Sequence, residues 1–322
     1  MSLLSVRDLS VEFATRDGIV RAVNGVSFEL VAGQVLALLG ESGSGKTVTL
    51  RSILGLHPSA RTRMTGEVLV KERDVLRLDE RARQDLRGSV VSMVFQEPMT
   101  ALDPVYTIGT QIEETLVQHR GLERAAARRR GRELLDLVQV PSPQRCLASY
   151  PHEVSGGMRQ RAMIAIALAG EPELLLADEP TTALDVTVQA QILWLLRDLQ
   201  KRLGLAVIFV THDLGVAAEI ADDAAVMYAG RIVEQAPIRA LFRRPAHPYT
   251  EGLMQATVRR GQKGKALVPI AGAPPNLAAL PAGCAFTPRC PHAHDLCVET
   301  LPPFHTVANG HLARCHLHKG GS

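Results

Sequence analysis

The sequence predicts an α/β fold built on a mostly parallel sheet, and three observations carry that expectation. Short apolar runs of strand length alternate with helical stretches, the pattern of βαβ units. A glycine-rich break, Gly40–Gly45, separates one such run from a helix. A second apolar run, Leu174–Ala177, ends in two adjacent carboxylates, Asp178 and Glu179.

Taken in order, Val6–Phe13 and Val26–Leu30 alternate in polarity and read as strands. Gln34–Leu39 is nearly continuously apolar, which suits a strand covered on both faces. Lys46–Leu56 reads as a helix and Val90–Phe95 as a strand. Residues 120–138 form one basic helical stretch with Arg124, Arg128, Arg129, Arg130 and Arg132. Alanines and Glu123 and Glu133 interleave them, so the charges read as a solvated face. Arg159–Ala169 is expected to be a helix, Leu174–Ala177 a buried strand, Val186–Leu203 an amphipathic helix and Ala206–Thr211 a strand.

At roughly 150 residues per domain, 322 residues suggest two. Eleven of the 19 prolines lie from Pro237 onward, and six of the eleven histidines from His292 onward, so the boundary is placed at 1–240 and 241–322. A net charge of +3 gives no support to nucleic-acid coating. The longest apolar run, Ala162–Ala169, has eight residues, against about 20 for a membrane span. Met1 to Val11 has no basic start and already carries Arg7 and Asp8, so no secretory signal is expected.

Gly40-Glu41-Ser42-Gly43-Ser44-Gly45-Lys46-Thr47 fits the phosphate-loop pattern. Glycines let the backbone turn its N–H groups inward, and the following helix adds the positive end of its dipole. Lys46 supplies a mobile charge for outer phosphates and Thr47 a hydroxyl for Mg²⁺. In such ATPases an acid at the end of a strand, here Asp178, helps hold Mg²⁺, and a second acid, Glu179, can polarise the attacking water. No asparagine precedes a lysine, which disfavours a guanine reader and therefore GTP. Val154-Ser155-Gly156-Gly157-Met158 precedes a helix and lies between these motifs, with Ser155 23 residues before Asp178. Ser-Gly-Gly at a helix start is a second anion site. Two copies facing each other could enclose nucleotide between the loop of one and the Ser-Gly-Gly of the other.

With every motif in order, residues 3–240 resemble the ATP-binding cassette of ABC transporters. The resemblance implies a P-loop ABC ATPase with an antiparallel β subdomain and a helical signature subdomain. Gln96, in Val94-Phe95-Gln96-Glu97-Pro98, is similar to the Q-loop glutamine, which joins Thr47 and Asp178 at Mg²⁺. Ser155, Gly156 and Gly157 resemble the signature, although Val154 and Met158 depart from Leu-Ser-Gly-Gly-Gln. Ala183-Leu184-Asp185 is similar to the D-loop, with Asp185 near nucleotide, and His212 to the switch histidine. Phe13 lies where the family stacks an aromatic on adenine. Glu179, His212 and Gln96 are thus the expected catalytic set. Gly40, Ser42, Gly43, Ser44, Gly45, Lys46 and Thr47 are the expected ATP cradle.

In the tail, prolines at 269, 274, 275 and 281 prevent long helices. Cys284, Cys290, Cys297 and Cys315 follow with gaps of five, six and seventeen residues, and Cys146 stands apart. Soft sulfur donors suit zinc or an iron–sulfur cluster, and the residues alone leave both open. His-Pro-Tyr-Thr (247–250) and Gly283–Cys290 resemble the oligopeptide/dipeptide (and nickel) importer branch. Met158–Arg161 and Pro98–Pro104 are similar to the same branch. That resemblance implies a small loop-rich C-terminal metal domain with a [4Fe–4S] cluster on the four cysteines, Zn²⁺ being the alternative. It also implies a heterodimer with a second related ABC ATPase, two permease subunits and an extracytoplasmic substrate-binding protein, at the cytoplasmic face of the inner membrane. The rival readings are a soluble ABC ATPase of DNA repair or translation and an ATP-switched metal or redox sensor. The first lacks the expected coiled-coil insertion, and intact Glu179 and His212 argue against the second.

Overall fold

The computed structural model describes residues 2–16, 18–58, 60–182, 184–256 and 269–318. Its strands in chain order are β1 (Ser2–Thr15), β2 (Gly18–Val31), β3 (Val35–Leu39), β4 (Thr62–Val70), β5 (Arg73–Asp74), β6 (Val91–Val94), β7 (Leu174–Asp178), β8 (Ala206–Thr211), β9 (Asp223–Tyr228), β10 (Arg231–Pro237), β11 (His305–Ala308) and β12 (His311–Ala313). Two compact units form. One holds Val31–Gln34 and Arg77–Val210, and the other Leu4–Leu30, Val35–Leu76 and the chain from Thr211 onward.

In the first unit β6, β7 and β8 lie side by side and parallel, with Leu174 opposite both Val91 and Ala206. Every residue of β7 is buried, as a continuous apolar run requires when both faces are covered. Helix Ile108–Arg120 opens where Thr107 Oγ1 accepts the Thr110 N–H at 3.2 Å. It closes at Gly121, whose φ of 63° is left-handed backbone that glycine adopts freely. The basic helix expected over 120–138 is observed as Arg124–Leu137, its start set back by the close of the preceding helix at Gly121. Ala127, Gly131, Leu134 and Leu135 form its buried stripe. On the outer side Arg130 pairs with Glu133 at 2.8 Å, and Arg120 with Glu171 at 2.9 Å. Exposed pairs of this kind contribute about 0–1 kcal/mol each, so the apolar stripe holds this helix and the arginines keep it wet.

In the second unit one sheet runs β2-β1-β4-β5, with β1–β4 and β4–β5 antiparallel. Beside it β3 and β9 pair in parallel from Leu36 opposite Asp223 to Leu39 opposite Val226. From β9 the order continues antiparallel through β10, β12 and β11. The tail, expected to be loops, thus adds two strands to a sheet edge. They are three and four residues long, too short for an alternation to stand out in the sequence.

A buried carboxylate fastens this addition. Glu234 on β10 has no exposed surface. It accepts the Ala246 and His247 N–H groups, both at 2.8 Å, and lies 2.7 Å from His311 Nε2 on β12. One side chain so joins a strand, the segment after helix Ile238–Arg243 and the terminal hairpin. His247 caps helix Pro248–Gln255 by accepting the Tyr249 N–H on Nδ1 at 3.0 Å. Burial, with a smaller contribution from His318, lowers its pKa to about 3.

Replacing Glu234 with Ala strands two buried N–H groups and a histidine, at a cost of about 3 kcal/mol. Chemical denaturation followed by circular dichroism measures that loss. His247 stays neutral in the fold but takes a proton near pH 6.5 once unfolded, so stability falls as pH drops from about 6.5 towards 3. The contribution is about 1.4 kcal/mol per pH unit. His247→Asn keeps a capping acceptor without the titration, and its stability profile is flatter than wild type over that range.

Candidate functional site

The phosphate loop lies between β3 and helix Lys46–Ile53, as its sequence context required. Gly40 and Gly45 have φ of 148° and 105°. A side chain at Gly40 would run into the Met227 carbonyl oxygen, and a Cβ at Gly45 would sit 2.5 Å from Ala22 O. Only glycine satisfies both the turn and the space. Lys46 is buried, with Nζ donating to Gly40 O at 2.7 Å and Glu41 O at 2.9 Å. Ser44 Oγ is buried with no hydrogen-bond partner among the described residues, an acceptor-seeking hydroxyl inside the cradle. Ser42 and Gly43 lie on the loop's exposed rim, and Thr47 is half-buried in the first helical turn. These groups fit a nucleotide's phosphates. Phe13, near the end of β1, meets the ring of His57 edge-on at 5.4 Å. Burial lowers the pKa of His57. His212 is exposed and immediately follows β8. Asp213 next to it caps the following helix by accepting the Gly215 N–H at 2.7 Å.

Glu41 is gripped from the tail. Arg289 Nη1 donates to its Oε2 at 2.8 Å and Nη2 to its Oε1 at 3.1 Å. The Glu41 N–H donates to Tyr249 Oη at 2.8 Å. Tyr228, Tyr249 and Phe286 pack ring against ring at 4.6–5.4 Å, and the guanidinium lies 5.8 Å from the Tyr228 ring centre. The carboxylate raises the Arg289 pKa further, and burial raises that of Tyr249. Sequence reasoning missed this contact, although both residues lie in the tail motifs it singled out. The signal was an acid inside an anion-binding loop, which calls for a countercharge.

In the first unit Asp178 is buried at the end of β7, opposite Val210. Glu179 follows with φ 44°, an uncommon left-handed conformation for a residue with a side chain. Its Oε2 accepts from Gln96 Nε2 at 3.4 Å and Thr182 Oγ1 at 3.0 Å. The structure thus brings Gln96 to Glu179 across 83 residues of sequence and adds Thr182, which sequence reasoning missed. The helix expected from Arg159 begins earlier, at Gly156, with Ser155 as its cap accepting the Met158 N–H at 3.4 Å. Gly156 and Gly157 form its first turn, and Val154 is buried beneath it. Ser155, Gly157 and Met158 line a cavity of about 730 Å³ with Val188 and Trp194. Trp194 is the chain's one tryptophan and is 64% exposed. Asp185 caps helix Val186–Leu203, accepting the Val188 N–H at 2.9 Å. Ala183 of the expected D-loop lies outside the described residues.

The metal site expected in the tail gains no support from the structure. Among the described residues no group of three or more His, Cys, Asp or Glu side chains is placed to hold a metal ion. Cys284, Cys290, Cys297 and Cys315 stand within electrostatic reach, since each of the other three raises the pKa of Cys315. They do not form a ligand cage. Cys284 is tied by its N–H to Cys297 O at 2.8 Å, Cys290 ends the turn Thr287–Arg289, and Cys315 follows β12, which β10 holds. Burial pushes Cys315 up to about 11 and raises Cys284 and Cys290. Cys146 is buried in the other unit, and burial pushes it to about 11.

Residues 23–182 match the ABC transporter family, and residues 233–297 match the C-terminal region of oligopeptide/dipeptide transporters. The chain is 51% identical to a probable peptide ABC transporter ATP-binding protein, y4tR, of Sinorhizobium fredii, over 97% of this chain and 94% of that one. It is 48% identical to the oligopeptide transport ATP-binding protein OppD of Salmonella typhimurium (97% and 93% covered). To the dipeptide transport protein DppD of Bacillus subtilis it is 46% identical (98% and 94% covered). Among solved structures, a post-hydrolysis dimer of the ATP-binding cassette MJ0796 with ADP and Pi matches with a TM-score of 0.66 and 29% identity, over 73% of this chain and 99% of that one. A phosphate loop of this geometry, a carboxylate pair closing β7 and relatives that align along nearly their whole length lead to one conclusion: the chain belongs to the ATP-binding proteins of ABC transporters, in the oligopeptide/dipeptide branch.

Proposed function

We propose that the chain is the ATP-hydrolysing subunit of an importer that takes up dipeptides or oligopeptides. The observation that supports the peptide reading is the tail, which matches the branch-specific C-terminal region and packs into the unit that carries the phosphate loop. The phosphate-loop amides and Lys46 bind the outer phosphates, and Ser44 Oγ gains an acceptor there. Phe13 stacks on adenine. Thr47, Asp178 and Gln96 would hold Mg²⁺, which neutralises phosphate charge when bound. Glu179 orients a water whose oxygen bonds to the γ-phosphorus as the bond to the β–γ bridging oxygen breaks, leaving ADP and phosphate. His212 holds the γ-phosphate in line. Ser155, Gly156 and Gly157 present their helix start to the nucleotide of a second cassette, and Asp185 lies beside that contact.

The assembly proposed is a heterodimer with a related ATPase, two permeases and an extracytoplasmic binding protein, at the cytoplasmic face of the membrane. Among the described residues no helix is long and apolar enough to cross a membrane, so attachment falls to the permeases. The segment after Gln96 supports that docking, because Met99, Val105 and Tyr106 hold apolar side chains out to solvent. The tail's Cys284, Cys290, Cys297 and Cys315 would hold a [4Fe–4S] cluster, as resemblance to the importer branch suggests.

Glu179→Gln abolishes hydrolysis but binds ATP as wild type does. With ATP it holds Trp194 in a persistently blue-shifted state as a second cassette covers that face, whereas turnover in this variant at the wild-type rate removes Glu179 from the mechanism. Iron and sulfide analysis of anaerobically purified protein tests the cluster: about four of each per chain supports it, and zinc or neither overturns it.

A further inference from the structure

The acid at the second position of the phosphate loop is an electrostatic problem for nucleotide binding. Glu41 carries its charge on the loop that must receive a polyanion, and like charges at close range cost binding energy in a partly buried site. The structure neutralises it from 248 residues away in sequence. The Arg289 side chain is 4% exposed and grips both carboxylate oxygens. Its other donors are also used: Nε to Ala271 O at 3.0 Å, Nη2 to Ile270 O at 3.4 Å and Nη1 to Tyr228 Oη at 3.4 Å. A guanidinium so fully engaged is fixed in place, and a lysine could not reproduce the two-pronged grip. Tyr249 Oη, on a side chain with no exposed surface, takes the Glu41 N–H and so sets the direction of the first amide after Gly40.

We propose that Arg289 and Tyr249 are positioning residues for ATP, by which the C-terminal tail neutralises Glu41 and holds the phosphate loop in its binding shape. The tail is then part of the nucleotide-binding apparatus as well as a branch-specific addition. The inference rests on the reading of Gly40–Thr47 as an ATP site.

The test is equilibrium binding of a fluorescent ATP analogue with Mg²⁺ to the purified full chain, with ATP hydrolysis measured alongside. Wild type must bind the analogue and Lys46→Ala must not. Failure there sinks the ATP reading itself, whereas the following outcomes bear on the inference alone. Arg289→Ala weakens binding about tenfold, the size of one charge-assisted hydrogen bond. The double variant Glu41→Gln/Arg289→Ala recovers most of that loss, because the uncompensated charge is gone. A merely structural role for Arg289 predicts no such rescue, so a double variant as weak as the single overturns the proposal. If Arg289→Ala does not fold, Arg289→Lys carries the test: it loses about threefold, one of two hydrogen bonds being kept. Binding equal to wild type in that variant overturns the proposal as well.

Discussion

A loop that offers its amide groups to phosphate cannot use them to hold itself together, so its shape must be imposed by its surroundings. Much of that framing is backbone. Met227 O stands where a side chain on Gly40 would go, Ala22 O stands over Gly45, and the Gly230 N–H reaches Ser44 O at 3.0 Å. β9 brings Met227 to the loop, and the turn after it brings Gly230, because β9 pairs in parallel with β3, the strand that feeds the loop. The position of β9 is in turn tied down by Asp222, whose carboxylate accepts the Val35 N–H at 2.9 Å. Strand register and loop conformation are one constraint seen from two sides.

The same unit carries two side-chain pairs of different kinds. Glu234 and His311 are both buried, and their partners include two backbone N–H groups, so the pair acts as a staple for the terminal hairpin. Arg289 and Glu41 lie closer to solvent and join two segments whose chemistry differs: a phosphate loop and a cysteine-bearing turn. A buried pair of the first kind gives conformational definition at the cost of desolvation. A forked pair of the second kind gives orientation, because two parallel bonds fix a plane as well as a distance.

The phosphate loop, the carboxylates after Leu174–Ala177 and the signature serine were legible in sequence because each depends on a short run of residue types. Glycine marks a backbone conformation, and a serine before a helix marks a cap. Helix Val186–Leu203 and strand Ala206–Thr211 coincide with their expected bounds, since period and burial agree there. The basic helix was started four residues early because Gly121 lies within a continuous run of helix-compatible residues, and its left-handed φ is a property of the fold. Spacing along the chain left the ligand set of the four cysteines open between a cluster and zinc, because spacing does not tell how side chains converge.

By itself the sequence determined the chemistry that local backbone dictates: where glycine must turn, where helices begin, which strand ends in acid. Tertiary structure alone decided which distant groups complete that chemistry. It set Gln96 and Thr182 on Glu179, and Arg289 and Tyr249 on Glu41. It also turned a loop-rich tail into two strands on the edge of β10. The physical reason is that short-range motifs encode dihedral angles and caps, while the pairing of charges and strand edges depends on distances that only packing fixes.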